Sequence, residues 1–482
     1  MDVEHLRLNS KILAILIGGA IGDALGWVTA EKPHISLYDK TGLDEITDFL
    51  RWKNIPGGRF YNRVEYIEKG EYSDDTQLTL STARSINLDK SFDIFRFSKI
   101  ELPFWLKYCR GAGLTTKTAA RNLFYKENKW FNNFFENTSS KYSIPYREAG
   151  SNGAVMRIAP LAFINFNNFK KLKEDIWKNT ITTHGHPRAL FGALLLGFAI
   201  TFLVNLNSIN LEENIFLEFL IDKINSVELS NDDKIRIWIK NWNKDGKFDY
   251  KAKFDETKEE VINYIKLIQQ LIILTDSEIL EKLKCFERNY KRSGIHTTIA
   301  GICLFMKYKN DFKKALISTV NLINSDTDTI GSFVGQLVGA HLGLEEIPKS
   351  WREQVQDEKY IYILGNRLYN IIQNDVKSLE SNTKEKNMNK EDDFYKDRIW
   401  NKLILNKIHE QSEIYSEVLG KGTIDKIVQL ETHLKNRVFY SIRIKFEIGQ
   451  SCYFMKSYTK EEIRNAGSLM KNSFLKSNLK DG

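Results

Sequence analysis

The sequence is poor in cysteine. Only Cys109, Cys285, Cys303 and Cys452 occur in 482 residues, widely separated and with no CxxC pair. That spacing excludes a disulfide framework and a cysteine-based zinc site. Isolated thiols fit a reducing compartment, so a cytoplasmic location is expected. Proline is sparse too: there are seven, none beyond Pro348. Strand-like alternation is scarce before residue 375. The opening MDVEHLRLNS has neither a basic n-region nor a small-residue cleavage site, and no secretory signal is expected. Long apolar runs are few. Residues 12–20 are too short to cross a membrane, and 189–206 only reaches the minimum length. The latter carries internal glycines and no flanking basic cluster, which predicts a buried core helix; no membrane partner is expected. Charge is nearly balanced, 70 Lys+Arg against 62 Asp+Glu. A formal +8 over this length does not by itself imply a nucleic-acid partner. Internal repeats are absent.

What is present is helix. Residues 11–27, 76–85, 188–206 and 312–323 place apolar side chains at three- and four-residue spacing. The fold class expected is all-α over 1–375. Within it, 211–286 is rich in Lys, Asp, Glu and Asn, contains Trp238 and Trp242, and reads as a helical insertion or peripheral subdomain. The polar run over 376–393 predicts a linker. Residues 394–482 read as a small α+β domain of unassigned role, with a helix over 404–417 and strands over 423–432 and 437–453. The charge is uneven: residues 381–482 hold 19 Lys+Arg against 14 Asp+Glu, a net of +5. Arg443 and Lys445 alternate there with aromatic residues, a weak nucleic-acid signal that an amphipathic strand explains better.

Two acidic clusters carry the chemistry. In Glu71-Tyr-Ser-Asp-Asp-Thr-Gln77, Ser73 is a plausible helix N-cap with Asp74 and Asp75 in the first turn. Capping alone accounts for this segment. In Asn324-Ser-Asp-Thr-Asp-Thr-Ile-Gly331, Asp326 and Asp328 flank one residue in a turn between two apolar helices. Capping explains one of these acids but not comfortably both, and paired acids need compensation. Carboxylates and hydroxyls are hard oxygen donors suited to Mg²⁺, Mn²⁺ or Ca²⁺. Asp23 sits in the small-residue stretch GGAIGDALG, which permits close helix packing, and reads as a hydrogen-bonded core carboxylate. The Gly-rich segment from Gly150 to Arg157 is a turn entering a helix, of the kind that binds phosphate through backbone N–H groups. His184 and His186 lie two apart with no third metal-binding partner nearby, which favours a satisfied structural histidine.

The ordered set GGAIGDALG, YSDDTQLTL, GSNGAVMRIAPLA, THGHPRA and SDTDTIGSFVGQLVGAHLG resembles the ADP-ribosylglycohydrolase family, the ADP-ribosyl hydrolases with a dinuclear magnesium site. The resemblance covers about residues 10–370, and 211–286 fits it least well. It implies a compact orthogonal helical fold with two Mg²⁺ ions, Mn²⁺ being an alternative, at the centre of a cleft. The ligands it implies are Ser73, Asp74, Asp75, Asp326, Asp328 and Thr329. Gly150, Ser151, Asn152, Gly153 and Ala154 would approach the ADP-ribose phosphates and ribose, with His184 near the cleft.

One departure stands out. The family's first motif carries a Glu four residues after its last glycine. Here that position is Ala30, and Glu31 follows it. On a helix, a slip of one residue turns a side chain by about 100°. Either Glu31 or Asp75 is the expected catalytic carboxylate, activating water for attack on the anomeric carbon. The expected activity is hydrolytic release of ADP-ribose from a modified protein or other macromolecule, through Arg, Ser or nucleic-acid linkage. The Ala30 departure motivates an alternative, an ADP-ribose-binding pseudoenzyme. A third reading is an inhibitor of a partner ADP-ribosyltransferase.

Overall fold

A computed structural model describes residues 3–30, 36–54, 63–136, 144–207, 210–244, 246–374, 391–432 and 434–465. The chain forms two compact units. The first comprises Met1–Leu50 and Lys69–Ser381; the second comprises Arg51–Glu68 and Asn382–Gly482. Much of the expected linker lies outside the described residues.

The first unit is helical and is organised around two antiparallel helices, Val3–Ala30 and Thr327–Leu342. Their interface is a ladder of small residues four apart. Gly18 meets Gly335, Gly22 meets Gly331 and Gly26 meets Thr327, backbone against backbone. A methyl group at Gly22 would sit 2.0 Å from the Gly331 carbonyl oxygen, so no larger residue fits there without moving a helix. The four-residue step keeps each contact on one helix face. This approach brings Asp23 on one helix to the same end as Asp326 and Asp328 on the other.

The first helix is longer than its apolar run over 12–20 suggests. Two described helical stretches, Leu6–Ala30 and Pro187–Asn205, are long and apolar enough to cross a membrane, and most of each is buried inside the unit. Lys11 of the first helix is buried and paired. Lys11 Nζ donates to the carbonyls of Leu203 and Leu206 at 2.5 and 2.7 Å, capping the C-terminus of the Pro187–Asn205 helix.

The 211–286 block supplies helices Glu213–Asn225, Asp233–Asn243, Tyr250–Leu271 and Asp276–Lys282 to this unit. It is tied into the core rather than peripheral. Trp238 Nε1 donates to the Tyr146 hydroxyl at 2.8 Å, and Trp242 Nε1 to the Gly185 carbonyl at 2.9 Å. Phe254 stacks on Trp177 with ring centroids 5.7 Å apart. Most charges of this block are exposed, while Trp238, Trp242, Tyr250 and Phe254 are buried.

The second unit contains an antiparallel sheet with strands in sequence order: Glu413–Ser416, Gly420–Leu430, Arg437–Phe446 and Ser451–Thr459. Two expectations are corrected here. The helix placed over 404–417 is instead the C-terminal residue of a short helix, Arg398–Ile404, then a turn and a strand. Asn406 and Gln411 adopt left-handed backbone, which ends helical winding, and the Tyr415 N–H is taken by the Asp393 carboxylate at 2.8 Å. The single strand placed over 437–453 is a hairpin. Gly449, at φ 101°, turns the chain, and the Phe446 N–H meets the Gln450 carbonyl at 2.9 Å. Phe394, Phe446 and Phe454 form its apolar centre. The strands Trp52–Asn54 and Glu65–Ile67 pair with each other, and the Val64 N–H meets the Glu431 carbonyl at 2.9 Å. Residues far apart in sequence thus share one unit.

Candidate active site

Asp23 organises the site. It is fully buried and accepts hydrogen bonds from the Ser73 N–H, the Thr76 N–H at 3.0 Å and the Thr76 hydroxyl at 2.6 Å. A carboxylate from one helix thereby satisfies orphan donors at the start of another, Asp74–Arg84. Ser73 is the N-cap of that helix, its hydroxyl accepting from the Asp75 N–H at 3.4 Å. Asp74 and Asp75 follow in the first turn, both buried.

The second acidic cluster begins the Thr327–Leu342 helix. Asp326 is buried, and both of its oxygens are engaged: Asn152 Nδ2 donates to Oδ2 at 2.7 Å and Arg292 Nε to Oδ1 at 3.0 Å. Asp328 is half-buried and accepts from the N–H of Thr329 at 2.8 Å. Thr329 is buried. Asp326 occupies the N-cap position without making a side-chain capping bond, whereas Asp328 takes a first-turn N–H, so helix-end bonding accounts for one acid of this pair and not the other.

The two clusters act on one another. Burial, then the charge of Asp23, then those of Asp328, Asp74 and Asp326 hold the Asp75 carboxyl well above the usual range. Burial, Asp326 and Asp23 do the same to Asp328. Asp74 is pushed up to about 7 by burial and Asp23, against the opposing charges of Lys117 and Arg292. Burial also raises Asp23, although its four hydrogen-bond contacts oppose the shift. Asp75 Oδ1 is buried and has no hydrogen-bond partner. A buried acceptor without a donor is costly, and a cation is the natural counterpart to one set among acids. The available donors are hard oxygens. Among the described residues, no three His, Cys, Asp or Glu side chains close into a preformed metal cage. The arrangement is an acidic cluster, with hydroxyls from Ser73 and Thr329 at its edges.

The Gly-rich segment packs beside it. Asn152 donates its N–H to the Arg292 carbonyl at 2.8 Å, and the Gly294 N–H meets the Gly150 carbonyl at 2.9 Å. The Asn152 N–H is therefore committed to backbone, and a phosphate could take it only by breaking that bond. Ser151 Oγ lies 2.9 Å from His184 Nε2, and Thr183 Oγ1 lies 2.8 Å from His184 Nδ1. Burial, then the charge of Arg157, lowers the His184 pKa to about 3, so the ring is neutral. His184 also closes against Gly153, where a Cβ would come within 3.0 Å of its Cε1. Its role is to fix Ser151 and the turn. Ala154 is fully buried behind them.

Arg157 braces the turn from behind. It is fully buried and donates to Asn179 Oδ1 at 2.8 Å, the Gly153 carbonyl at 3.0 Å and Thr183 Oγ1 at 2.9 Å. The Gly111 loop covers the opposite side. A Cβ there would lie 3.2 Å from Asp74 Oδ1, and the backbone, at φ 76°, suits glycine. The neighbouring Arg110 pairs with Glu71 at 2.9 Å, and both side chains are buried. Arg292 and Gly111 had no signal in the sequence, since neither falls in a motif with recognisable spacing. Glu31 lies outside the described residues. Ala30, at the end of the first helix, is buried and brings no carboxylate.

A family model described as ADP-ribosylglycohydrolase matches residues 4–377. The ADP-ribosylarginine hydrolase Tri1 of Serratia proteamaculans is 23% identical over 368 residues, covering 74% of this chain and 79% of that protein. The mouse ADP-ribosylhydrolase ARH3 is 22% identical over 374 residues, covering 76% and 93%. The ADP-ribosyl-[dinitrogen reductase] glycohydrolase of Rhodospirillum rubrum is 20% identical over 346 residues, covering 71% and 90%. A solved structure titled ADP-ribosylglycohydrolase-related protein complex covers 76% of this chain and 99% of its own, at 19% identity and a TM-score of 0.48. With the family model spanning most of the sequence, the chain belongs to the ADP-ribosylglycohydrolase family, enzymes that hydrolyse glycosidic bonds.

Proposed function

We propose that the chain is a divalent-cation-dependent hydrolase that releases ADP-ribose from a modified macromolecule by cleaving the bond at the ribose anomeric carbon. The observation that carries this reading is Asp75 Oδ1, buried without a donor and set among Asp23, Asp74, Asp326 and Asp328. Five interacting carboxylates in one site are unfavourable unless a cation compensates them. Ser73, Asp74, Asp75, Asp326, Asp328 and Thr329 would hold a pair of Mg²⁺ ions, with Mn²⁺ an acceptable substitute. Bound there, the cations supply Lewis-acid polarisation of a water and of the ribose hydroxyls.

The chain's own residues do the rest. Asp23 fixes the start of the Asp74–Arg84 helix, and with it the direction of Asp74 and Asp75. Asn152 holds one oxygen of Asp326. His184 and Arg157 hold the Gly150–Ala154 turn, which would face the sugar and phosphates. Asp75 is the base that the described residues offer for the attacking water, because Ala30 stands where a glutamate was expected. The substrate is an ADP-ribosylated macromolecule, encountered in the cytoplasm.

The Ala30 substitution favours a second reading, an ADP-ribose binder with little turnover. A release assay separates the two. Purified protein with Mg²⁺ is offered Arg-linked, Ser-linked and nucleic-acid-linked ADP-ribose, and the free ADP-ribose is measured. Release from at least one linkage is expected. ADP-ribose binding with no release from any of the three would refute hydrolysis.

A further inference from the structure

A cavity of about 580 Å³ lies in the helical unit away from the acidic cluster, and what it carries does not depend on the hydrolase reading. Lys11, in its wall, precedes Asp23 by twelve residues on the first helix, about 18 Å. Four cationic side chains line the cavity, Arg7, Lys11, Lys90 and Lys171, against one acid, Asp89. Among the described residues, none of the four forms an ion pair with a carboxylate. Backbone carbonyls anchor them instead. Lys11 is spent on the C-terminus of the Pro187–Asn205 helix, and Arg7 donates to the Asn207 carbonyl. Lys171 Nζ donates to the Lys90 carbonyl at 2.6 Å, and Lys90 Nζ to the Ile372 carbonyl at 3.0 Å. Each of these two ammonium groups makes that single bond among the described residues, so donors remain on both.

Asp89 does not neutralise the group. It is exposed, and its carboxylate accepts from the Ser91 N–H at 2.9 Å and the Ser91 hydroxyl at 2.5 Å. The charge of Lys171 reaches Asp89 and Asp175 without an ion pair to either. Lys11 is 2% exposed, and burial, then the charge of Arg7, lowers its pKa to about 7. Like charges gathered at a buried ammonium are costly without a counter-charge. The Phe169–Ile181 helix also starts here, its N-cap Asn168 lining the cavity, so the positive end of that helix adds to the same field.

We propose that this cavity binds a small anion carrying two or more phosphate groups, held by Arg7, Lys90 and Lys171 with the charge of Lys11 in the same wall. Phosphate oxygens accept both from a forked guanidinium and from ammonium groups. A monovalent ion would answer one cation and leave the others unopposed, whereas a chain of phosphates spans them.

The test is isothermal titration of the full chain with inorganic tripolyphosphate in metal-free buffer, which needs no turnover. Saturable one-to-one binding is expected, weakening as NaCl is raised. Lys90→Gln and Lys171→Gln should each weaken it by about tenfold, the loss of one charge-assisted contact. Lys173→Gln is the control: Lys173 Nζ bonds the Ser226 carbonyl at 3.1 Å outside this cavity, and the variant should bind as the wild type does. Circular dichroism confirms folding, and Arg7→Gln replaces either lysine variant that fails it. No binding by the wild type, or wild-type binding by every folded cavity variant, would overturn the assignment. Equal affinity for orthophosphate would overturn its multivalent character.

Discussion

The contact between Gly22 and Gly331 makes the site sensitive to a single methyl group. In Gly22→Ala, the new Cβ would lie 2.0 Å from the Gly331 carbonyl oxygen and 2.8 Å from the Ser332 nitrogen. Ordinary contact begins near about 3.5 Å, so the helices must separate by roughly 1.5 Å. Both partners are helix backbone, and neither can rotate away as a side chain could. The stability cost should fall at the upper end of the overpacking range, about 3 kcal/mol. The displacement also reaches the chemistry, because Asp23 is the next residue and holds the start of the Asp74–Arg84 helix. A misplacement of about 1 Å costs on the order of 10²-fold in rate. Denaturant unfolding and ADP-ribose release, measured on the same preparation, read both effects. Gly113→Ala is the control: an added Cβ there meets nothing within 4 Å, and its backbone conformation suits alanine. The control should match the wild type in both assays. Wild-type stability and turnover in Gly22→Ala would refute the reasoning that this helix contact positions the site.

Acid should weaken the fold through His184. Its pKa falls from 6.5 to about 3 in the folded chain, so the unfolded chain binds the proton first. The contribution is fully present above pH 6.5 and is lost as pH falls from there towards 3. One proton is worth about 1.4 kcal/mol per pH unit, so His184→Gln should lose about 2 kcal/mol less than wild type between pH 7 and pH 5, by urea unfolding. Arg157→Lys should destabilise by about 3 kcal/mol or more, because an ammonium cannot reach Asn179, Gly153 and Thr183 together. Thermal melting checks this, and a change under 1 kcal/mol would show that the brace is dispensable.

Local sequence carried much of the site. Ser73 precedes its two acids in the pattern of a capped helix, and the structure shows that cap. The small residues of GGAIGDALG recur every four positions, and the same step appears in the facing helix; close packing follows from that spacing. What local sequence did not carry was long-range. Asp23 could be read as a hydrogen-bonded core acid, but its partners lie 50 and 53 residues away. Arg292 reaches Asp326 through folding alone, with no motif around it. The charges in 211–286 suggested a peripheral block, whereas Trp238 and Trp242 anchor it to Tyr146 and Gly185. The strand at Glu413–Ser416 has four residues, too few to show a period against the helical signal before it. The pairing of Val64 with Glu431 joins segments that no periodicity links.

The most direct test is ADP-ribose release by the wild type and by Asp75→Asn, each with Mg²⁺, after EDTA, and after Mg²⁺ is restored. Wild-type release should fall by about 10²-fold or more in EDTA and return with the ion. Asp75→Asn should stay inactive throughout. In EDTA it should melt no lower than the wild type, because the substitution removes a buried carboxyl whose ionisation burial and its acidic neighbours oppose. EDTA-insensitive release, or full activity in Asp75→Asn, would contradict the assignment of this acidic cluster as the cation-dependent centre.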